Sequence, residues 1–400
     1  MDNRQRFEEA PTPIWTFNRQ GPFYRLQRRL GLLTDTDLRA GRRALVFVLI
    51  AWLPTLLLAI ATGNALGDHH ERSILLDFSA YAFAIAIAAF VLMEQSSDRR
   101  MAWLVQQFVA TGIAASAAKP CLAQARRHLE RRASSGVAEV AMLALSYVLA
   151  YAWIDAGLVR IPTGTWFGRL VDGAFQLNLA GWWIMLVALP LFWFLLLRWL
   201  WRFGIWGLLL RDIARCDLRL VATHPDRCGG IAFIGQYPKT YLLFVFAVST
   251  VVSATVLKQV VFGGVSLMAF KFALLSMILF LLAAFAAPLA FFSPKLVQLK
   301  RRGLSTYGTL VSRHNLAFEA RWIAQSDPEQ AEEPLGSPDM SSLADLAAGY
   351  ELVKKMRAVP LTKESFMPVL LAALIPMLVV AATQAPLAKI LSEIKGLLLL

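Results

Sequence analysis

Histidine and cysteine are scarce in this chain, five and three in 400 residues. A structural zinc site takes four such ligands at short spacings. Cys121, Cys216 and Cys228 fall into no such pattern with one another or with a histidine. The loop Asp68-His69-His70-Glu71 gathers polar ligands, but neighbouring side chains on one short loop rarely converge on a single ion. A solvated loop is expected there, and no metal or other cofactor is expected elsewhere. No nucleotide-binding loop and no nucleophile–base constellation occurs, which makes an enzyme the least favoured class.

Charge is the second shortage. Only 17% of residues are charged and 57% are hydrophobic, a balance that excludes an ordinary soluble fold. No ionisable residue stands near the middle of an apolar run. Glu94, Glu139, Asp155, Arg198 and Lys258 all fall near the ends. Ion-coupled pumps carry such groups at mid-depth, so coupled transport is disfavoured.

Long apolar runs are what the chain does have. A bilayer core about 30 Å thick takes roughly 20 apolar helical residues to cross. Seven stretches meet or approach that length. They are Ala44 to Thr62, Phe78 to Leu92, Val137 to Ile154, Trp182 to Leu197, Tyr241 to Leu257, Phe272 to Phe292 and Phe366 to Thr383. In lipid each backbone amide must bond within its own segment, so these are helices. The fold class expected is all-α: a polytopic membrane helical bundle of about seven spans with helical cytoplasmic extensions. The first run begins at Ala44 with no convincing cleavage site behind it, and reads as a retained signal-anchor. The second is short, and tilted or partly interfacial.

The net charge of +13 fits topology better than nucleic acid. Most basic residues lie before the first span, between the second and third, after the fourth, and after the sixth. This alternation places the N-terminus in the cytoplasm and the C-terminus outside. The same flanks attract anionic lipid headgroups. On that orientation all three cysteines face a reducing compartment and are expected as free thiols.

The chain divides into a basic, aromatic arm (1–43), spans one to six with cytoplasmic loops (44–292, loops 95–136 and 198–239), a cytoplasmic helical region (293–365), and a last span with an amphipathic tail (366–400). A short amphipathic helix is expected around Phe23 to Leu33. The moderately apolar run Met101 to Ala118 reads as an interfacial or core-packed helix, or as a re-entrant segment. The fourth span should continue as a projecting helix to about Val221, ended by Pro225 and Gly229-Gly230. Pro294 to Trp322 and Asp339 to Met356 read as helices, the second capped by Asp339 and stopped by Pro360.

Two places suit a ligand. In Ala222 to Ile234, His224, Asp226 and Arg227 adjoin Gly229 and Gly230. Paired glycines let backbone amides converge on an anion, with Arg227 supplying charge. The same residues also make a tight turn in which Asp226 caps amides. In the fifth span Ser249 and Ser253 share one face and either pack against another helix or line a hydrated path.

Three stretches taken together resemble a family of uncharacterised bacterial multi-pass inner-membrane proteins. They are DLRLVATHPDRCGGIAFIG (217–235), with a THPDR-x-GG motif, LKRRGLSTYGTLVSRH (299–314), and GSPDMSSLADLAAGYELVKKMRAVP (336–360), with a GSxDxxSLADL segment. The resemblance covers roughly the C-terminal half. It implies a bacterial inner-membrane location, no transferable activity, and no role for the Cys228 thiol, which replaces a small residue. The functional expectation is an oligomeric channel or passive permeation path with a basic, anion-favouring mouth. The alternatives are a sensor or scaffold holding a cytoplasmic protein partner and, least, an enzyme built on His224, Asp226 and Arg227.

Overall fold

The computed structural model describes residues 19–34, 37–65, 73–155, 166–171, 174–324 and 338–383. The Asp68–Glu71 loop, most of the N-terminal arm, the acidic linker after residue 324 and the C-terminal tail lie outside them.

Helix α1 (Pro22–Arg29) precedes the first span, α2 (Ala40–Ala61). The second is α3 (Phe78–Ala110), followed by α4 (Lys119–Ala133) and the third span, α5 (Gly136–Asp155). A β-hairpin comes next, β1 (Gly168–Val171) antiparallel to β2 (Ala174–Leu177). The fourth span begins as α6 (Leu179–Trp183), passes through a π-helical turn (Ile184–Ala188) and continues as α7 (Leu189–Arg215). A 3-10 segment (Ala232–Tyr241) leads into α8 (Leu242–Val261). Helix α9 (Lys271–Ala286) runs through a 3-10 turn (Ala287–Phe292) into α10 (Ser293–Trp322). Two helices close the described chain, α11 (Pro338–Lys354) and α12 (Lys363–Ala382).

Seven helices among the described residues are long and apolar enough to cross a membrane, and the protein is an all-α multi-pass membrane bundle. The outer faces of its spans are apolar. Val137, Val140 and Tyr151 of α5, and Phe272 and Phe280 of α9, stand exposed on the outside, where lipid tails are the only solvent that suits them. The bundle centre is α3, which packs on α2, α7 and α8; α8 in turn packs on α12, and α5 on α7.

Several expectations change in the folded chain. The second span is not short. Helix α3 runs unbroken for 33 residues, roughly 50 Å, and absorbs most of the 101–118 run. Met101, Leu104, Val105 and Phe108 are buried, so this part is core-packed and does not re-enter the membrane. The chain reverses just beyond, at Gly112 (φ 72°). Helix α7 stops at Arg215, short of Val221. From there the backbone is drawn sideways: Arg219 N–H donates to Ile113 O at 2.9 Å, and Lys295 Nζ to Cys216 O.

The thiol expectation is overturned. Cys121 on α4 and Cys216 at the end of α7 form a disulfide, across a sequence separation of 95, and only Cys228 is free. Compartment reasoning and zinc spacing both missed this, because neither tests for pairing across a folded helix seam. The seam is also polar. Asp212 of α7 accepts from Arg132 at 3.0 Å and stands 3.3 Å from His128 Nδ1. The β-hairpin is a second omission, since four-residue strands between spans carry too little alternation to be read.

Beyond the spans, α10 and α11 pack as a helical hairpin. Gly303 permits their close approach: a Cβ there would lie 2.8 Å from Val353 and 3.0 Å from Ala222. Asp339 sits in the first turn of α11 and accepts from Arg321 (2.9 Å) and Trp322 (3.2 Å) of α10.

Candidate functional site

The turn at His224–Gly230 is held by its own aspartate. Pro225 and the positive φ of Arg227 (59°), Gly229 (67°) and Gly230 (99°) fold the backbone back on itself. The amides so gathered point at the Asp226 carboxylate, which accepts from Cys228 (2.8 Å), Gly230 (3.1 Å) and Ala232 (2.9 Å). His224 Nδ1 lies 2.9 Å from Asp226 Oδ1. Burial raises the Asp226 carboxyl, but the three amides outweigh it and hold the group below its ordinary value. The Arg227 side chain is exposed. Arg357 pins the outside of the turn through Arg227 O (2.8 Å, from its N–H) and Asp226 O (3.0 Å, from Nη2). The amides that an anion would use are thus engaged by the chain itself.

Ser249 and Ser253 are both buried. Ser249 Oγ donates to Ala373 O at 2.5 Å, which puts this face of α8 in the seam with α12.

A cluster that the sequence did not assemble sits at the basic end of the bundle. Arg43 at the start of α2, Glu94 on α3, Glu139 at the start of α5, and Arg198 and Arg202 on α7 meet at one level. Glu94 accepts from Arg43 Nη2 at 2.5 Å and from Arg202 Nη1 at 2.9 Å. Arg198 lies between the two carboxylates, 3.6 Å from Glu94 and 3.7 Å from Glu139. Glu139 also accepts the Phe23 N–H at 2.6 Å, and Arg43 Nε donates to Gln27 at 2.6 Å, so α1 is latched onto the cluster. The Phe23 ring lies 4.6 Å from the Arg198 guanidinium. Each of these charges is visible in the sequence near a span end. Their common depth is the signal that would have grouped them.

A well-formed apolar space lies at the opposite end. A cavity of about 110 Å³ opens between α2, α3, α5, the α6–α7 span and α8. Ala51, Phe83, Ile87, Trp153 and Leu189 give it apolar walls. Thr55 and Thr255 also line it, but their hydroxyls bond back to Ala51 O (2.8 Å) and Val251 O (3.0 Å) of their own helices. Its charged groups stand at one end, where Asp77 and Lys258 face each other at 3.9 Å.

Local sequence explains this architecture. Asp77 caps α3 by accepting from Ser79 N–H at 3.0 Å, and its other oxygen takes the Trp166 indole N–H at 2.9 Å. Asn178 caps α6 at Gly181 N–H (2.9 Å) and donates to Trp166 O (2.8 Å). Gly181 is required here, because a Cβ would lie 2.2 Å from Phe167 O. Trp166 and Phe167 are thereby fixed over the cavity. On the far wall, Pro190 lacks the N–H that would bond Leu186 O, and its ring crowds that carbonyl. The π-helical turn Ile184–Ala188 precedes it, and Tyr147 Oη donates to Leu186 O at 3.3 Å instead. Ile184 and Ala188 of this turn line the cavity, a placement typical of π-bulges at binding sites.

Between cavity and charge cluster the interior is a column of rings. Phe83 meets Phe192 (4.8 Å), Phe192 meets Phe90 (5.9 Å), and Phe90 meets Phe244 (5.7 Å). Tyr241 and Trp199 continue it to Arg202, which stacks 4.8 Å from the Trp199 ring. Trp199 itself is locked by its indole N–H to Phe90 O at 2.9 Å.

The chain matches no protein-family model, no curated protein and no solved structure. Among the described residues no group of histidine, cysteine and acidic side chains is placed to hold a metal.

Proposed function

We propose that the protein is a membrane-embedded binder of an amphiphile, with the apolar part of the ligand in the cavity and its polar head at Asp77 and Lys258. The observation that carries this reading is the polarity of the space itself: apolar along its length and charged at one end. Asp77 already accepts from Trp166 and Ser79, whereas among the described residues Lys258 has the 3.9 Å contact with Asp77 alone. A head that accepts hydrogen bonds, such as a carboxylate, suits Lys258 best. The arginine-rich flanks support a bacterial inner-membrane orientation with the basic end in the cytoplasm, against anionic lipid, and the cavity in the outer half, while the Cys121–Cys216 disulfide at that basic end argues the other way. A permeation path through one protomer is opposed by the aromatic column, so a channel would need its path between copies.

Trp52, Trp153 and Trp166 line the cavity and report on its contents. Titration with a brominated fatty acid in nanodiscs should quench their fluorescence saturably. In Ala84→Phe, which fills the cavity from α3, only the non-saturating quenching from bilayer partition should remain. Identical curves for the two proteins would refute the proposal.

A second reading, a scaffold for a soluble partner, has its own observation. The 30-residue α10 extends roughly 45 Å and, with α11, exposes Leu310, Leu316, Ile323 and Met340. Deletion of 338–354 would release a co-purifying partner on this reading and leave ligand quenching intact.

A further inference from the structure

Among the described residues, the guanidinium groups of Arg43, Arg198 and Arg202 meet the carboxylates of Glu94 and Glu139. A guanidinium removed from water is costly unless its N–H groups are answered. The least satisfied member is Arg198. Its side chain is 5% exposed, its two carboxylate neighbours are beyond hydrogen-bond distance, and its buried Nη1 has no hydrogen-bond partner among the described residues. Arg198 lines a small cavity of about 20 Å³ together with Arg202, Glu139, Gln20 and Trp201. That space is enough to hold one water-sized or halide-sized sphere. Gln20 brings a second buried, unpartnered polar atom, Oε1, to the same space, and a half-turn of its amide offers N–H there instead.

We propose that this space beside Arg198 is a binding site for one small monovalent anion, a halide, coordinated by Arg198 and the Gln20 amide. Such an ion would sit at the cluster on which α1, α2, α3, α5 and α7 converge. It would be a structural ligand of the basic end, remote from the amphiphile cavity and independent of what that cavity holds.

The test is thermal unfolding of the full-length protein in nanodiscs, with sodium chloride, bromide, gluconate or sulfate at fixed ionic strength. Chloride and bromide should raise the unfolding temperature saturably, and gluconate and sulfate should not. Arg198→Met should lose the halide dependence. Glu139→Gln removes a competing negative charge yet keeps an acceptor for Phe23, and should lower the half-saturating chloride concentration by roughly tenfold. A role confined to packing would not move in that direction. Should Arg198→Met fail to fold, the wild type in bromide provides the second measurement, an anomalous peak within hydrogen-bond distance of Arg198 Nη1. Equal unfolding temperatures in chloride and gluconate, halide dependence that persists in Arg198→Met, or a water that bromide does not replace would each overturn the proposal.

Discussion

Arg357 reaches back 131 residues to hold the carbonyl of Asp226, Nη2 to O at 3.0 Å, while its Nη1 takes Leu361 O at 2.6 Å. The arginine therefore ties the turn before α8 to the segment entering α12. Arg357→Ala removes both charge-assisted bonds and leaves two carbonyls short of a donor. A loss of about 2 kcal/mol is expected, read as a lowered unfolding temperature. An unchanged melting curve would show that packing and the backbone bond from Arg357 N–H to Arg227 O hold the two segments without the side chain.

Acid should act on the same turn. The Asp226 carboxyl is held below its ordinary value by three amides, so its stabilisation is fully present above the unfolded aspartate pKa of about 3.9. It is lost as pH falls through the lower folded value. Asp226→Asn should therefore be destabilised relative to wild type at pH 7, with the gap closing as the pH is lowered below 4. A gap that widens with acid would contradict the assigned charge state.

The cysteine pairing has a direct chemical readout. Denatured but unreduced protein should present one reactive thiol, Cys228, and reductant should expose Cys121 and Cys216 as well. Reduction of the native protein should cost about 2–4 kcal/mol, because the bond closes a long loop. Three reactive thiols without reductant would return the chain to what compartment reasoning expects.

Trp166→Phe keeps the ring over the cavity but deletes the N–H donated to Asp77. Hydrogen exchange at Phe167 and Gly181 should rise, because the hairpin loses one of the two side chains that fix it. The exchange of α8, on the other side of Asp77, serves as the control and should change little.

Much of this fold is written plainly in the chain. The spans follow from apolar length, and the α10 and α11 segments from helical punctuation. The errors share one cause. Residues 101–110 look too polar for a span, yet they extend α3 because α3 outruns the bilayer and is sheathed by other helices. Glu94 and Arg198 look like unrelated charges near two span ends; their meeting depends on the relative depth of α3 and α7, which no local pattern carries. Cys121 and Cys216 are joined by the same helix packing. The polar cavity end was equally hidden. Asp77 precedes one span and Lys258 stands near the end of another, and only the bundle sets them 3.9 Å apart. The THPDR turn was the reverse case, with both readings, ligand cradle and self-capped turn, present in the letters.

The aromatic column has an electrical consequence. A membrane potential does work only on charge that moves through it, about 2.3 kcal/mol per elementary charge for each 100 mV. From Phe83 to Trp199 the interior offers hydrocarbon and ring faces, a stretch of insulator. Asp77 and Lys258 lie on one side of it, and Arg198, Arg202 and Glu94 on the other. The two charged ends are plates of a small capacitor whose dielectric is phenylalanine, and in this arrangement voltage finds no mobile charge in the core on which to pull.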